Sequence, residues 1–365
     1  MIRYGIIGCG SMGREHIENL FALGGGDGGV QVTALADPHP ASLQTSLLAC
    51  AQALRPAPQA FTGHRELLAS GLCDAVVIAT PNHTHAALLR DALALPALHI
   101  LVEKPLVTRI EDGVDLLQRD QGRSGIVWVG QEYRYMPPAA AFIDAVHGGR
   151  VGRLQMVSIR EHRFPFLVKV GDWNRFAANT GGTMVEKCCH FFDLMRLITQ
   201  SEAVRVYCSG AMDVNHLDEV YDGRTPDIID NSYTTVDFAN GTRAMLDLSM
   251  FADGAEQQEE ITAVGSEARL ECLIPAGDLI FSPRTGFLQP KAPERTHVSV
   301  DETALKSGSH HGSTYYEHQK FYSAVVGNGR VEVSAKDGLM AVAIGTAAEI
   351  SAREHRVVTM DELGF

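Results

Sequence analysis

The sequence predicts an α/β chain of two domains. A doubly wound parallel sheet spans residues 1–130, and an α+β domain with a large, mostly antiparallel open sheet spans residues 131–365. Three observations carry this. Through the first 130 residues short apolar runs alternate with helix-length stretches, as a parallel sheet with crossover helices requires. A glycine-spaced turn, Gly8-Cys9-Gly10-Ser11-Met12-Gly13, joins the first strand to the first helix. Beyond residue 135 strand-like runs follow one another with little between them, the texture of an antiparallel sheet.

In chain order, strands over 2–7, 32–36, 75–79, 100–102 and 126–129 alternate with helices over 11–23, 40–54, 64–69, 83–94 and 109–121. The run Gly24-Gly25-Gly26-Asp27-Gly28-Gly29 reads as a flexible connection rather than a second phosphate loop. The second domain carries strands over 154–160, 204–209, 232–238, 243–249, 259–264 and 268–272, interrupted early by a helix over 183–198. Helices over 315–326 and 336–352 end the chain, the C-terminal helix returning to pack on the first domain. One face of the antiparallel sheet is left for a subunit interface.

A chain of 365 residues, 45% hydrophobic, suffices for two cores. No stretch approaches the ~18 to 20 apolar residues of a membrane span, and the chain enters its first strand at once, leaving no room for a signal peptide. Seven scattered cysteines fit a reducing cytosol. Cys188-Cys189 are adjacent and no Cys-x-x-Cys pair occurs, which argues against a zinc cluster. A net charge of −13 opposes binding to nucleic acid. The expectation is a cytoplasmic protein acting on a small molecule, without a metal, membrane or nucleic-acid partner.

The spacing Gly8-x-Gly10-x-x-Gly13 between a strand and a helix points to a dinucleotide. Gly8 permits the tight turn, Gly10 lets backbone approach a pyrophosphate, and Gly13 lets helix and strand pack closely. Ser11 and Met12 head the helix, whose amides and dipole face the phosphates. The second strand ends in Asp37, placed to accept both ribose hydroxyls of an adenosine. A 2′-phosphate would meet like charge there and no arginine follows, so NAD is favoured over NADP; the other reading of Asp37 is a cap for the next helix. After the strand over 75–79 comes Thr80-Pro81-Asn82-His83-Thr84-His85, at a carboxyl edge where open α/β sheets bind ligands. Thr80 and Asn82 suit the ribose or nicotinamide end, Asn82 suits a helix cap equally, and His83 and His85 suit packing better than metal ligation.

Two segments carry the chemistry. In Glu103-Lys104-Pro105 the proline extends Lys104 from the sheet edge, where a lysine is either a site residue or merely solvated. In the stretch from Gly181-Gly182 to Asp193, Glu186 and His190 stand four apart on the expected helix, a carboxylate and an imidazole on one face. Such a histidine is a base or a core residue.

Together, Gly8–Gly13, the turn 80–85, Glu103-Lys104-Pro105 and Gly181-Gly182…His190…Asp193 resemble the glucose–fructose oxidoreductase, inositol dehydrogenase and rhizopine-catabolism family (Gfo/Idh/MocA), over essentially the whole chain. The resemblance implies a Rossmann domain, a C-terminal domain with a large open sheet, and NAD(P)-dependent oxidation of sugars or cyclitols. It implies that Lys104 hydrogen-bonds the reacting hydroxyl and His190 takes its proton. Glu186 stands where many members have Asp, one methylene shorter. His85, Glu103, Gln131 and Arg134 join the expected cofactor contacts. Tyr133, Trp173, Arg175 and Tyr315 join the expected substrate pocket, Tyr315 from a loop over 309–316 closing on the ligand.

The leading function is thus an NAD-dependent dehydrogenase of a sugar, sugar derivative, glycoside or inositol, assembled as a homodimer or homotetramer. NAD-dependent glycoside cleavage through a transient 3-keto intermediate uses the same first oxidation. A non-catalytic dinucleotide sensor is the third reading, disfavoured by the presence of both Lys104 and His190.

Overall fold

The computed structural model describes residues 1–24, 29–308 and 310–365. Most of the expected glycine connection, residues 25–28, and Ser309 of the expected loop lie outside the described residues. The chain divides into two compact units, Met1–Tyr135 with Asp301–Leu339, and Met136–Val300 with Met340–Phe365. The sequence places one boundary at 130/131; contacts place it five residues later and count 301–339 with the first unit.

The first unit runs β1 (Ile2–Ile7), α1 (Ser11–Leu23), β2 (Val30–Ala36), α2 (Pro40–Gln52), β3 (Gln59–Phe61), α3 (His64–Ala69), β4 (Ala75–Ile78), α4 (His85–Leu93), β5 (His99–Glu103), α5 (Ile110–Asp120) and β6 (Val127–Gly130). All six strands are parallel, in the order β3-β2-β1-β4-β5-β6. The centre is buried on both faces: Ile6, Val76, Val77, Ile78, Ile100, Leu101 and Val102 are wholly inaccessible. That is why β4 is an unbroken apolar run and the buried parts of β1 and β5 do not alternate. The strand β3 was not expected. Its three residues are largely exposed at the sheet edge, too few for a periodic signal.

The second unit opens with α6 (Pro137–His147), which the sequence reading passed over; Pro137 and Pro138 occupy first-turn positions where no N–H is needed. Then come β7 (Leu154–His162), α7 (Ala177–Thr180), α8 (Thr183–Glu186), α9 (Cys189–Thr199), β8 (Ala203–Ala211), β9 (Asn231–Phe238), β10 (Arg243–Ser249), β11 (Glu259–Gly265), β12 (Ala268–Ile274), β13 (Asp278–Pro283) and β14 (Glu294–His297). The helices α10 (Glu302–Lys306) and α11 (Ser313–Val325) fall in the first unit; α12 (Ala335–Glu354) and β15 (Val358–Thr359) end the chain.

The nine-stranded sheet has the order β14-β13-β12-β11-β7-β10-β9-β8-β15, antiparallel except for the parallel pair β7 and β10. Burial alternates along β9 and β12, the mark of a sheet with one covered face. No helix among the described residues is long and apolar enough to cross a membrane.

The single helix expected over 183–198 is two pieces. The Cys188 N–H reaches back five residues to the Thr183 carbonyl (3.1 Å), and those of Phe191 and Phe192 return to Cys188. This widened turn breaks the ladder between Glu186 and His190.

Candidate active site

In the first unit the expected cofactor residues converge on the carboxyl edge of the parallel sheet. Gly8 has φ +97°, and a Cβ there would lie 2.5 Å from the Ala79 carbonyl oxygen. A Cβ on Gly13 would collide with the Gly8 carbonyl. Gly10 differs: a Cβ there would meet nothing within 4 Å. Its lack of a side chain serves no internal packing and leaves the head of α1, Ser11 and Met12, open to a ligand's phosphates.

Asp37 ties this loop to β2. One carboxylate oxygen accepts the Cys9 N–H (2.7 Å) and the other the His39 N–H (2.7 Å). The N-cap of α2 is His39, whose Nδ1 accepts the Ser42 N–H, so the capping role considered for Asp37 falls elsewhere. A carboxylate offers about four acceptor positions, and two remain for ribose hydroxyls.

The turn after β4 is braced from within. The Thr80 hydroxyl bonds that of Thr84 (2.7 Å), and Thr84 donates to the Pro81 carbonyl. Asn82 is 6% exposed, and its Nδ2 has no hydrogen-bond partner among the described residues. It supplies no side-chain cap to α4, so the capping alternative for Asn82 is not realised.

His85, expected among the cofactor contacts, is engaged within the protein. It is fully buried, with Nδ1 facing the Pro105 carbonyl (2.8 Å) and Nε2 facing that of Thr80 (3.0 Å). Burial lowers its pKa, favouring the neutral ring. Its role is to join the two edge loops.

Glu103 ends β5, and the bond from Lys104 to Pro105 is cis. Lys104 is half-buried. Glu103 points inward, accepting the Lys104 backbone N–H on Oε2 (3.1 Å) and pairing with His16 through Oε1 (2.9 Å). Burial works against its charge, but His16 and then Lys104 outweigh burial and hold its pKa below the ordinary value.

After β6, Glu132–Tyr135 form a buried 3-10 turn. Gln131 is 1% exposed, and neither its carboxamide oxygen nor its nitrogen finds a partner among the described residues. Two such orphaned amides at one sheet edge, Gln131 and Asn82, fit a site built to receive a polar ligand. Arg134 donates to the Glu332 carbonyl (2.8 Å), and Tyr133 is buried beside it in sequence. Burial, then the Glu103 charge, pushes Glu132 up to about 7. Tyr315 lies not in a loop but in the first turn of α11, edge-on to Tyr316.

Sequence reading missed the polar cluster behind Lys104. His16 and Glu15 of α1 meet His318, Thr314 and His310 from the returning segment. Burial opposes the Glu15 charge, but hydrogen bonds from His310 and Thr314 hold its pKa down at about 2. Partners some 300 positions apart leave no local signal.

In the second unit Gly171 and Asp172 both have left-handed backbone (φ +70° and +50°), turning the chain into 173–175. Arg175 is 2% exposed and its guanidinium is engaged by Glu219 (2.8 Å) and Asn174. Arg175, expected in the substrate pocket, is thus held in an ion pair within the protein. The Trp173 carbonyl accepts from Asn179.

The segment bearing Glu186 and His190 is held by side chains from afar. Glu349 of α12 accepts the Met184 N–H (2.9 Å), capping α8 where Gly182 has no side chain to do so. Lys187 pairs with Glu161 of β7 (3.0 Å). Glu186 and His190 are buried, 7% and 2% exposed. Cys188 is a buried thiol whose pKa burial pushes up, unsuited to act as a nucleophile.

A family model described as the oxidoreductase family, NAD-binding Rossmann fold, matches residues 2–131; its partner, the C-terminal alpha/beta domain, matches residues 143–360. The chain is an oxidoreductase by class, with an NAD-binding Rossmann domain. It belongs to the Gfo/Idh/MocA family. A myo-inositol 2-dehydrogenase of Thermotoga maritima is 25% identical over 99% of each chain. An inositol 2-dehydrogenase of Rhizobium meliloti is 25% identical over 98% of this chain and 99% of its own. A levoglucosan dehydrogenase, solved with NADH and levoglucosan, shares the fold with TM-score 0.83 at 19% identity, covering 98% of this chain and 99% of that one.

Proposed function

We propose that the protein is an NAD-dependent dehydrogenase acting on a secondary hydroxyl of a polyol: a sugar, sugar derivative, glycoside or inositol. The observation that carries the reading is Lys104, half-buried at the sheet edge with its backbone fixed on a buried carboxylate. The full-length likeness to inositol 2-dehydrogenases supports the substrate class.

When bound, NAD supplies the hydride acceptor. The backbone at Gly10 and the head of α1 take the pyrophosphate, Asp37 the adenosine ribose, and Asn82 and Gln131 the polar groups nearer the reacting end. Lys104 donates a hydrogen bond to the reacting hydroxyl and stabilises the alkoxide as it develops. His190 takes the hydroxyl proton, a contribution of about 10² to 10⁴ in rate, and Glu186 binds substrate or orients His190. Tyr133 and Trp173 complete the pocket. We place the contact of a homodimer or homotetramer on the open sheet face bearing Met156, Tyr207, Tyr233 and Met245, all exposed.

Mixing the protein with NAD and a panel of inositols, free sugars and glycosides, followed at 340 nm, tests the proposal. Substrate-dependent NADH supports it. An aglycone released with only catalytic NAD would replace it by glycoside cleavage.

A further inference from the structure

Behind Lys104 lies a chain of buried groups that no substrate or cofactor contact explains. His318 Nε2 lies 2.9 Å from His16 Nδ1, and His16 Nε2 lies 2.9 Å from Glu103 Oε1. Glu103 Oε2 in turn accepts the Lys104 N–H. Both imidazoles are wholly inaccessible. We propose that the His318–His16 pair is a positioning device for Lys104, keeping Glu103 ionised and fixed so that the lysine stays an ammonium aimed at the hydroxyl. The proposal rests on the reading of Lys104 as the group that meets the substrate.

The hydrogens can be placed by elimination. A carboxylate only accepts, so the His16 Nε2 carries a hydrogen. With His16 neutral, its Nδ1 is a lone pair and takes the Nε2–H of His318. The remaining nitrogen, His318 Nδ1, has no partner among the described residues. The opposite polarity would need a fully buried imidazolium and would leave an N–H unsatisfied there, the costlier arrangement. Burial pushes the His318 pKa well down, in keeping with a neutral ring. Every dipole thus points its positive end at Glu103.

The groups facing Glu103 make this arrangement necessary. His85 of α4, His16 of α1, His310, Glu132 and Glu317 of α11 all act on it or feel its charge, besides Lys104 itself. Glu132 and Glu317 are raised by burial and by neighbouring carboxylates. Glu103 keeps its charge because His16 donates to it. Without that donor, burial would raise the Glu103 pKa and weaken the negative charge that acts on Lys104. Because α11 supplies His318, the returning segment 301–339 becomes part of the catalytic apparatus.

Acetic anhydride labelling of Lys104 against pH, quantified by mass spectrometry with exposed Lys291 and Lys306 as internal references, reads this without any substrate. In His16→Leu we expect labelling of Lys104 at pH 7 to rise about threefold to tenfold, since one pKa unit is tenfold in free amine. His16→Gln, which keeps a donor, should restore the wild-type profile. An unchanged Lys104 profile in folded His16→Leu overturns the proposal. If that variant does not fold, ¹⁵N-histidine NMR of the wild-type protein decides. An Nε2–H on both His16 and His318 at pH 7 supports the proposal. An Nδ1–H on His318, or an Nε2 of His16 without its hydrogen, contradicts it. Turnover surviving in Lys104→Ala would instead sink the functional reading, independently of the labelling result.

Discussion

The glycine loop of the first unit and the α8–α9 bend of the second both depart from regular backbone beside groups assigned to chemistry, but they are held differently. At Gly8 and Gly13 the backbone itself enforces the residue type, because a Cβ on Gly8 would strike the Ala79 carbonyl and one on Gly13 the Gly8 carbonyl. The bend from Thr183 to His190 has no such internal enforcement. It is fixed by Glu349, 165 residues distant, on the Met184 N–H, and by Glu161 on Lys187. The first geometry is written in its own residues; the second is imposed by tertiary partners and changes if they change.

The largest expected effect tests whether the two regions really serve one reaction. Lys104→Ala and His190→Ala should each lower kcat/KM by about 10² to 10⁴ while NAD binding, measured by titration calorimetry, stays within a few-fold of wild type. If either variant lost NAD binding in proportion, the division between cofactor cradle and chemical groups would fail.

Within the loop, the three glycines should separate. Gly13→Ala should cost about 1–3 kcal/mol or more in denaturant unfolding, because the helix must move off the Gly8 carbonyl. Gly10→Ala should leave stability near wild type and weaken NAD, since only a ligand competes for that space. Equal destabilisation by both would mean that Gly10 is structural after all.

Asp37 sharpens the same contrast. Asp37→Ala should weaken NAD about tenfold, the loss of hydrogen bonds to a charged acceptor, and should narrow the preference over NADP. An unchanged preference would leave Asp37 with only its loop-tying bonds to Cys9 and His39.

The smallest effect concerns the bend. Burial pushes Glu349 from 4.5 up to about 7, against the Met184 N–H that favours its charge. Between those values the folded protein keeps a proton that the unfolded chain has released. This contribution to stability is therefore full below about pH 4.5 and lost as pH rises through about 7. Glu349→Gln should flatten that part of the curve of Tm against pH by about one proton's worth. A curve parallel to wild type would mean Glu349 titrates normally.

These contrasts also explain what the sequence could reveal. The parallel sheet was legible because the centres of β1, β4 and β5 are buried on both faces and so are apolar there. Gly8 and Gly13 were legible because the turn and the close approach of helix and strand restrict residue type locally. The break between Glu186 and His190 was not, since periodicity assumes the ladder that Cys188 abandons. Nor were the commitments of Arg175 to Glu219 and of His85 to two carbonyls, because a cation or imidazole near a site looks alike whether it meets substrate or protein. The His16–His318 contact, spanning 302 positions, has no sequence signature at all.

The most direct measurement is single-turnover oxidation at 340 nm, with wild type, Lys104→Ala and His190→Ala given NAD and myo-inositol alongside the wider polyol panel. The account predicts NADH from at least one polyol with wild type, and a loss of about a hundredfold or more in each variant with NAD still bound. NADH formed equally by all three proteins, or by none of them on any polyol, would contradict it.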